Sequence, residues 1–571
     1  DSIRKAWIEH DFASSDTRQI LLRYGNYLSQ DDHFAKADRS LFNRSTAGLE
    51  DVRGLLSADR EREVDARSAL IRRRTNGPDL FNGLPESSKR DSGVLHAMVR
   101  YLRRTGREED AIEIAKLAPL DSVKLRDAES WYTERKLLAR WAIKNGKFND
   151  AYNLSAYSGL RDGADFAEAE FMAGWIALRF LVDPDRARAH FDFLLSGVDS
   201  PISQARGHYW LGRAYQAMAE PLRARAHYMV AADFPYTYYG QLAIDSMGED
   251  APSYSFPADG SIDPSARARY EARELAQAME ILDEINERDL YRRFALALDE
   301  ELSTEDEVRI FMQRVRDQQE WDLVVRAGKI ARNYGLTVPE AIYPLYPLPG
   351  DAARFAEPAL VLGLSRQESE FRADAVSSAR AKGMMQLLNS TARITARKEG
   401  LPYDADRLLT DPAYNMTLGA AHLSHLVERF SGSYIMVLAG YNAGPHRVDD
   451  WVETYGDPRS PDVDPVDWVE LIPFSETRNY VMRVLENTQV YRARLDGVPL
   501  GHRLIEDITR GSASTPAAIG QPVPAPQLWL VGGRQFGPPP AVETDYEEPP
   551  AAMRRVGGLT TPRPQAEPAG L

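Results

Sequence analysis

The sequence predicts an all-α protein, and three observations carry that reading. Between Gly106 and Pro235 the chain is rich in Ala, Leu, Arg and Glu with little β-branched alternation, the composition that helices favour. A phrase recurs there in which a turn residue precedes an Ala that opens an amphipathic helix: Gly106 to Ala111, Gly146 to Ala151, Asp183 to Ala187 and Ala219 to Ala224. Those alanines stand 40, 36 and 37 residues apart, the period of a helix-turn-helix repeat. Finally, Pro- and Gly-dense breaks at residues 249–264 and at Tyr343-Pro-Leu-Tyr-Pro-Leu-Pro-Gly350 cut the chain into helical blocks.

Taken in order, residues 1–248 are expected to form a helical superhelix of tetratricopeptide-like units, a solenoid in which small residues let paired helices approach closely. The last unit fits that pattern best, with Trp210, Gly212, Tyr215, Ala224, Tyr228 and Pro235 in register. Residues 249–348 read as a helical linker domain, as in Ala266-Arg-Ala-Arg-Tyr-Glu-Ala-Arg-Glu-Leu-Ala276. Residues 349–497 carry their own helical patterns and glycine-marked turns, enough for one compact domain. Residues 498–571 form a Pro/Gly-rich tail: Gly511–Leu571 holds 12 prolines and 8 glycines, which cannot build a core and should be disordered or loosely draped. One apolar island in it, Gln527-Leu-Trp-Leu-Val531, is suited to docking.

Several function classes drop out on composition. A formal net charge of −15 over 571 residues argues against a nucleic-acid or anionic-membrane partner. The absence of cysteine removes disulfides, thiol nucleophiles and thiolate metal sites. No apolar run approaches the roughly 18 residues of a membrane span. The chain opens Asp1-Ser-Ile-Arg, without Met or an apolar stretch, as expected after removal of a targeting peptide or after trimming. Neither H-E-x-x-H, a P-loop nor a strand-bounded G-x-G-x-x-G occurs. His422 and His425 share a helical face, but with no third ligand at metal spacing they read as packing or surface residues. No metal or cofactor is expected.

The informative stretch is Pro358-Ala-Leu-Val-Leu-Gly-Leu-Ser-Arg-Gln-Glu-Ser-Glu-Phe371. On a helix, Glu368 follows Val361 by seven residues and Leu364 by four, which puts its carboxyl on their apolar face, while Glu370 points nearly the opposite way. Desolvation favours the protonated form, and a carboxyl held protonated near neutral pH can serve as a general acid. The competing reading is a Glu paired with a buried Arg or capping a neighbouring backbone. Gln386, polar among Met and Leu, needs a partner or a ligand. Tyr441 and Asn442 stand where a helix stops in Leu438-Ala-Gly-Tyr-Asn-Ala-Gly-Pro445, offering an aromatic face, a hydroxyl and an amide.

The ordered set Glu368-Ser369-x-Phe371, Gly383-Met-Met-Gln386, Tyr441-Asn-Ala-Gly-Pro445 and Ile472-Pro-Phe-Ser-Glu-Thr-Arg-Asn-Tyr480 resembles family 1 lytic transglycosylases, lysozyme-like enzymes that cut peptidoglycan glycan strands. The whole chain is similar to the soluble lytic murein transglycosylase type, and the resemblance implies a lysozyme-like catalytic domain behind the superhelix and linker. It implies Glu368 as the single catalytic acid/base, with Ser377, Gln386, Tyr441, Asn442, Glu476 and Tyr480 along the saccharide cleft. For Glu476 the competing reading is a pairing with Arg478 or Arg483 that orders the last helix. The chain departs from the family at Met384 (usually Leu), at Leu388-Asn389 (usually Met-Pro) and at Gly440 (usually Ala). Altered sugar contacts are expected at Leu388. The resemblance further implies non-hydrolytic cleavage of the MurNAc–GlcNAc β-1,4 bond to 1,6-anhydromuramoyl products, and a periplasmic location. Glycan strands are then the partner, with cell-wall enzymes as further partners through the superhelix. The alternatives are a hydrolytic muramidase and a non-catalytic peptidoglycan-binding scaffold.

Overall fold

The computed structural model describes residues 2–45, 49–255, 262–501 and 503–511. Among the described residues the chain is all-α, as expected: extended pairing is confined to the isolated bridges of Lys382 with Val376 and Leu387. No helix among them is long and apolar enough to cross a membrane.

From Ala128 to Met247 each helix packs on the next, and the repeat is visible in side-chain detail. The four spaced alanines fall at the fourth position of Glu108–Ala115, Phe148–Ala156, Pro184–Ser196 and Pro221–Ala232, and all four are buried. Each of these helices follows a longer one, for example Gly163–Arg179 and Pro201–Ala217. Gly174 and Gly212 lie on those longer helices, and a Cβ on either would overlap the ring of Phe191 or Tyr228 from the following helix. Absence of a side chain is what lets each aromatic sit against the backbone. Helix starts are fixed locally: Asp183 and Ser200 each accept a backbone N–H three residues on, with Pro184 and Pro201 in the first turn.

Helices from Pro264–Glu271 to Trp321–Asn333 enclose a core of their own that includes Tyr270, Met279, Tyr291 and Phe311. The last of them has two apolar faces. Leu323, Val324, Ala327 and Ala331 complete this core, whereas Trp321 and Val325 join the larger core shared by the solenoid and the C-terminal region. That larger core surrounds Pro358–Ser369, which lies along the 22-residue helix Ser475–Asp496. A smaller cluster, including Leu387, Ala392, Leu408 and Leu418, forms a lobe with Tyr441 packed against it.

The solenoid grips the C-terminal region through charge. Asp464, Asp467 and Glu470 on and beside the short helix Pro465–Leu471 meet arginines of the repeats. Arg179 Nε and Trp175 Nε1 donate to Asp467 at 2.6 and 2.9 Å, Arg213 donates to Asp464 at 2.8 Å, and Arg206 reaches both oxygens of Glu470 at 2.9 Å. In the reverse direction, Arg478 donates to Glu168 at 2.6 Å. Beyond residue 498, Leu500, Leu504 and Ile508 are buried, and the Ile505 amide donates to Asp245 at 2.7 Å. The Pro-rich remainder, with its island Gln527–Val531, lies outside the described residues.

Candidate active site

Glu368 occupies the last turn of Pro358–Ser369, a helix that begins on a proline and ends because Glu370 and Phe371 take φ of 54° and 67°. Two successive non-glycine residues in the left-handed region each cost roughly 1–2 kcal/mol, so their surroundings must hold them there. Tyr480 Oη donates to Glu368 Oε1 at 2.7 Å. The carboxyl is pushed up to about 7, first by burial and then by the like charge of Glu476, while the Tyr480 bond pulls it down. No cation contributes to that balance. The alternative in which Glu368 pairs with a buried Arg is therefore not the arrangement formed.

The neighbouring phenols stay neutral. Burial first, and Glu368 second, keep both Tyr441 and Tyr480 well above the usual tyrosine range. Tyr441 Oη donates to the Met385 carbonyl at 2.8 Å and so ties its helix to the Gly383–Gln386 turn. Gln386, at φ 46°, spends its amide nitrogen on the Gly383 and Ala375 carbonyls at 2.8 and 3.2 Å. Ser377 is exposed, and its hydroxyl accepts the Ala381 N–H at 3.0 Å within a tight loop. Asn442 Oδ1 accepts the Thr477 hydroxyl at 2.6 Å, joining the end of Tyr434–Ala443 to the start of Ser475–Asp496. Glu476 is exposed, and the arginines considered for it are engaged elsewhere: Arg478 with Glu168 and the Ile472 carbonyl, Arg483 with Glu486. Glu370 turns away from the cleft to pair with Lys329. Leu388 is exposed at the end of the turn.

Of the sequence-predicted residues, the structure brings Glu368, Tyr441, Tyr480 and Glu476 into one electrostatic neighbourhood, with Gln386 and Ser377 on the adjoining loop and Asn442 bracing the far side. Asn415 was missed by sequence reasoning. Fully buried, it accepts the Met385 N–H at 2.9 Å and donates to the Lys382 and Leu408 carbonyls at 2.9 and 3.0 Å. It thereby fixes the turn that presents Gln386, and Gly383 in that turn has no room for a Cβ against it. A lone Asn on an otherwise apolar helix face is the same signal that singled out Gln386. His422 packs on the Tyr441 ring with centroids 5.3 Å apart and is drawn down to about 4, mainly by burial, so it stays neutral; His425 bonds Glu399 at 2.6 Å.

A carboxylic acid poised near neutrality and braced by a phenol can give a proton to a leaving group. Residues 351–461 match the family model described as "Transglycosylase SLT domain". Over these residues the chain is similar to a transglycosylase SLT domain. A second model, "Soluble lytic transglycosylase helical domain", matches residues 471–500, on the long helix behind the SLT domain rather than on the repeats. A Haemophilus influenzae relative is 35% identical over 173 residues, 30% of this chain and 28% of that protein. The "Soluble lytic murein transglycosylase" of Escherichia coli is 33% identical over 180 residues, 31% of this chain and 27% of that protein. These alignments thus span under a third of the relatives' length. The fold agreement reaches farther. An inactive mutant of the lytic transglycosylase Slt from Pseudomonas aeruginosa superposes with a TM-score of 0.67 at 23% identity, covering 87% of this chain and 78% of that one. The 70 kDa soluble lytic transglycosylase of Escherichia coli gives 0.61 at 19% identity, over 86% and 77%. The superhelix in front of an SLT domain is therefore a shared architecture.

Proposed function

We propose that this chain is a peptidoglycan lytic transglycosylase that cleaves the MurNAc–GlcNAc β-1,4 bond and leaves 1,6-anhydromuramoyl ends. The observation that carries the reading is Glu368, a carboxyl pushed up to about 7 that no cation offsets, on a helix whose sequence matches the SLT domain. Glycosidases with two working carboxyls hold them about 5–5.5 Å apart for retention or about 6.5–9.5 Å apart for inversion. Here one acid does both proton transfers. Glu368 gives its proton to the glycosidic oxygen as the bond to the muramoyl anomeric carbon breaks, and the muramoyl 2-acetamido group stabilises the cationic centre. The resulting carboxylate takes the proton of the muramoyl 6-hydroxyl as that oxygen closes on the anomeric carbon. Acid and base are regenerated in one cycle, and no water is consumed.

Tyr480 steadies the carboxylate between the two steps, since its hydroxyl already donates to Oε1. Gln386, Ser377, Tyr441, Asn442 and Glu476 bound the saccharide cleft in this reading, residues 349–497 form the catalytic unit and 249–348 the linker. The periplasm is where such a substrate is met, and the superhelix is the surface offered to other cell-wall enzymes. The deciding experiment is digestion of purified peptidoglycan by the full chain, with product masses read by mass spectrometry. Anhydromuropeptides are expected. Products heavier by one water would make the enzyme a hydrolytic muramidase, and no release at all would leave a binding scaffold.

A further inference from the structure

We infer that the linker region positions the catalytic acid, with Lys329 and Tyr346 holding the left-handed turn Glu370–Phe371 that ends the Glu368 helix. The inference rests on Glu368 being the acid of the proposed reaction, and it goes beyond the cleft residues named for that reaction.

Three residues around the acid are fastened from the linker side, besides their contacts within the C-terminal region. Phe371 is buried and lies parallel to Tyr346, rings 5.5 Å apart with planes 3° from coplanar. Tyr346 in turn abuts Trp321 at 5.0 Å, and Phe371 meets the edge of Tyr491 at 6.4 Å. Lys329 Nζ pairs with the Glu370 carboxylate. On the preceding turn, Arg366 Nε donates to the Ile342 carbonyl at 2.7 Å and its guanidinium lies 4.3 Å from the Tyr343 ring centre. Residues 366, 370 and 371 bracket Glu368, and all three answer to residues between Trp321 and Tyr346.

The holding element is itself firmly seated. Trp321 and Lys329 share helix Trp321–Asn333, whose other face completes the linker core. A Cβ on its Gly328 would press on the Ala341–Ile342 backbone, so this helix and the short helix Pro339–Ile342 that leads into the Pro-dense stretch lie against each other without an intervening side chain. Two adjacent non-glycine residues at positive φ persist only where their environment over-determines them. Here that environment is the aromatic stack and the ammonium. Release would let the helix end relax, and the Glu368 carboxyl, still bonded to the Tyr480 hydroxyl, would lose its aim at a bound glycosidic oxygen.

The action is one of geometry. The charges that shift Glu368 do not include Lys329. In the full chain, Lys329→Met and Tyr346→Leu should each lower kcat on purified glycan strands 5- to 50-fold, with KM within twofold and the alkaline limb of the pH profile unmoved. Lys329→Arg and Tyr346→Phe should restore most of the rate. Amide exchange of residues 366–372 should quicken at least tenfold in Tyr346→Leu, and this readout needs no activity. Folded variants with unchanged kcat, or unchanged exchange in that segment, would overturn the inference; so would a shifted alkaline limb, which would make the effect electrostatic. An inactive parent with quickened exchange would instead count against the proposed reaction and leave the positioning intact.

Discussion

Glu368 and Glu168 are both part-buried glutamates on helices, and their carboxyls are shifted in opposite directions. At Glu168, burial pushes the carboxyl up, yet Arg478, Arg206, Arg140 and Lys136 together hold it down to about 2. At Glu368, burial is joined by Glu476 and opposed by one phenol, and the group settles at about 7. Desolvation is present at both places, so it cannot be what separates them. The difference is the supply of cations. Arginine is concentrated where the solenoid meets the C-terminal region, and there carboxylates serve as a joint. Around the cleft it is withheld, and there a carboxyl stays available as an acid.

The comparison breaks most decisively at Glu368 itself. Glu368→Gln should abolish muropeptide release, a loss of at least about 10²–10⁴-fold in turnover, because the amide keeps the shape without the proton. The same variant should gain stability at alkaline pH. The folded carboxyl titrates near 7 and the unfolded one near 4.5, so the parent loses stability as pH rises between those values. Denaturant melts at pH 8 should therefore favour the variant by up to about 3 kcal/mol, with no difference at pH 4. A variant that is inactive and equally stable at both pH values would deny Glu368 its raised titration.

On the other side of the comparison, Arg478→Met leaves Glu168 and Glu470 short of a partner. Unfolding should become easier by about 3–5 kcal/mol, while kcat measured well below the new Tm stays close to that of the parent. Tyr480→Phe removes the bond that lowers the Glu368 carboxyl, so the alkaline limb of the activity profile should move to higher pH. Glu476→Gln removes the like charge and should move that limb the other way, by less, since its influence is the smallest of the three on Glu368. Limbs that shift in the same direction in both variants would contradict the charge balance described for the cleft.

The two regions also differ in how plainly the sequence announces them. Ala111, Ala151, Ala187 and Ala224 repeat at nearly constant spacing, and helix pairing needs little beyond such local regularity, so the solenoid is readable from composition and period. Glu368 is readable for a related reason, since four and seven residues on one helix face are local arithmetic. Asn415 is not. Its three hydrogen bonds reach backbone at residues 382, 385 and 408, and nothing along the chain ties those positions together until the lobe folds. The same holds for Lys329 and Tyr346, which reach the end of the acid's helix only after the Pro-dense stretch Tyr343–Gly350 has turned the chain back. The short helix Leu504–Ile508 hides for a different reason: five residues are too few to show a period, and burial against the solenoid decides its fate.

The acidic helix Pro465–Leu471 bears on any attempt to cut the molecule down. The matched domain ends at residue 461, three positions before Asp464. A fragment starting at residue 349 would keep Glu368, Gln386, Tyr441 and Tyr480, yet lose Arg179, Arg206 and Arg213 from Asp464, Asp467 and Glu470. Three carboxylates that the whole chain neutralises would then crowd a newly bared surface that also held Trp175 and Tyr239. What reads along the chain as detachable modules is joined by these charges, and a fragment that keeps the pairs intact has to include the repeats that carry those arginines.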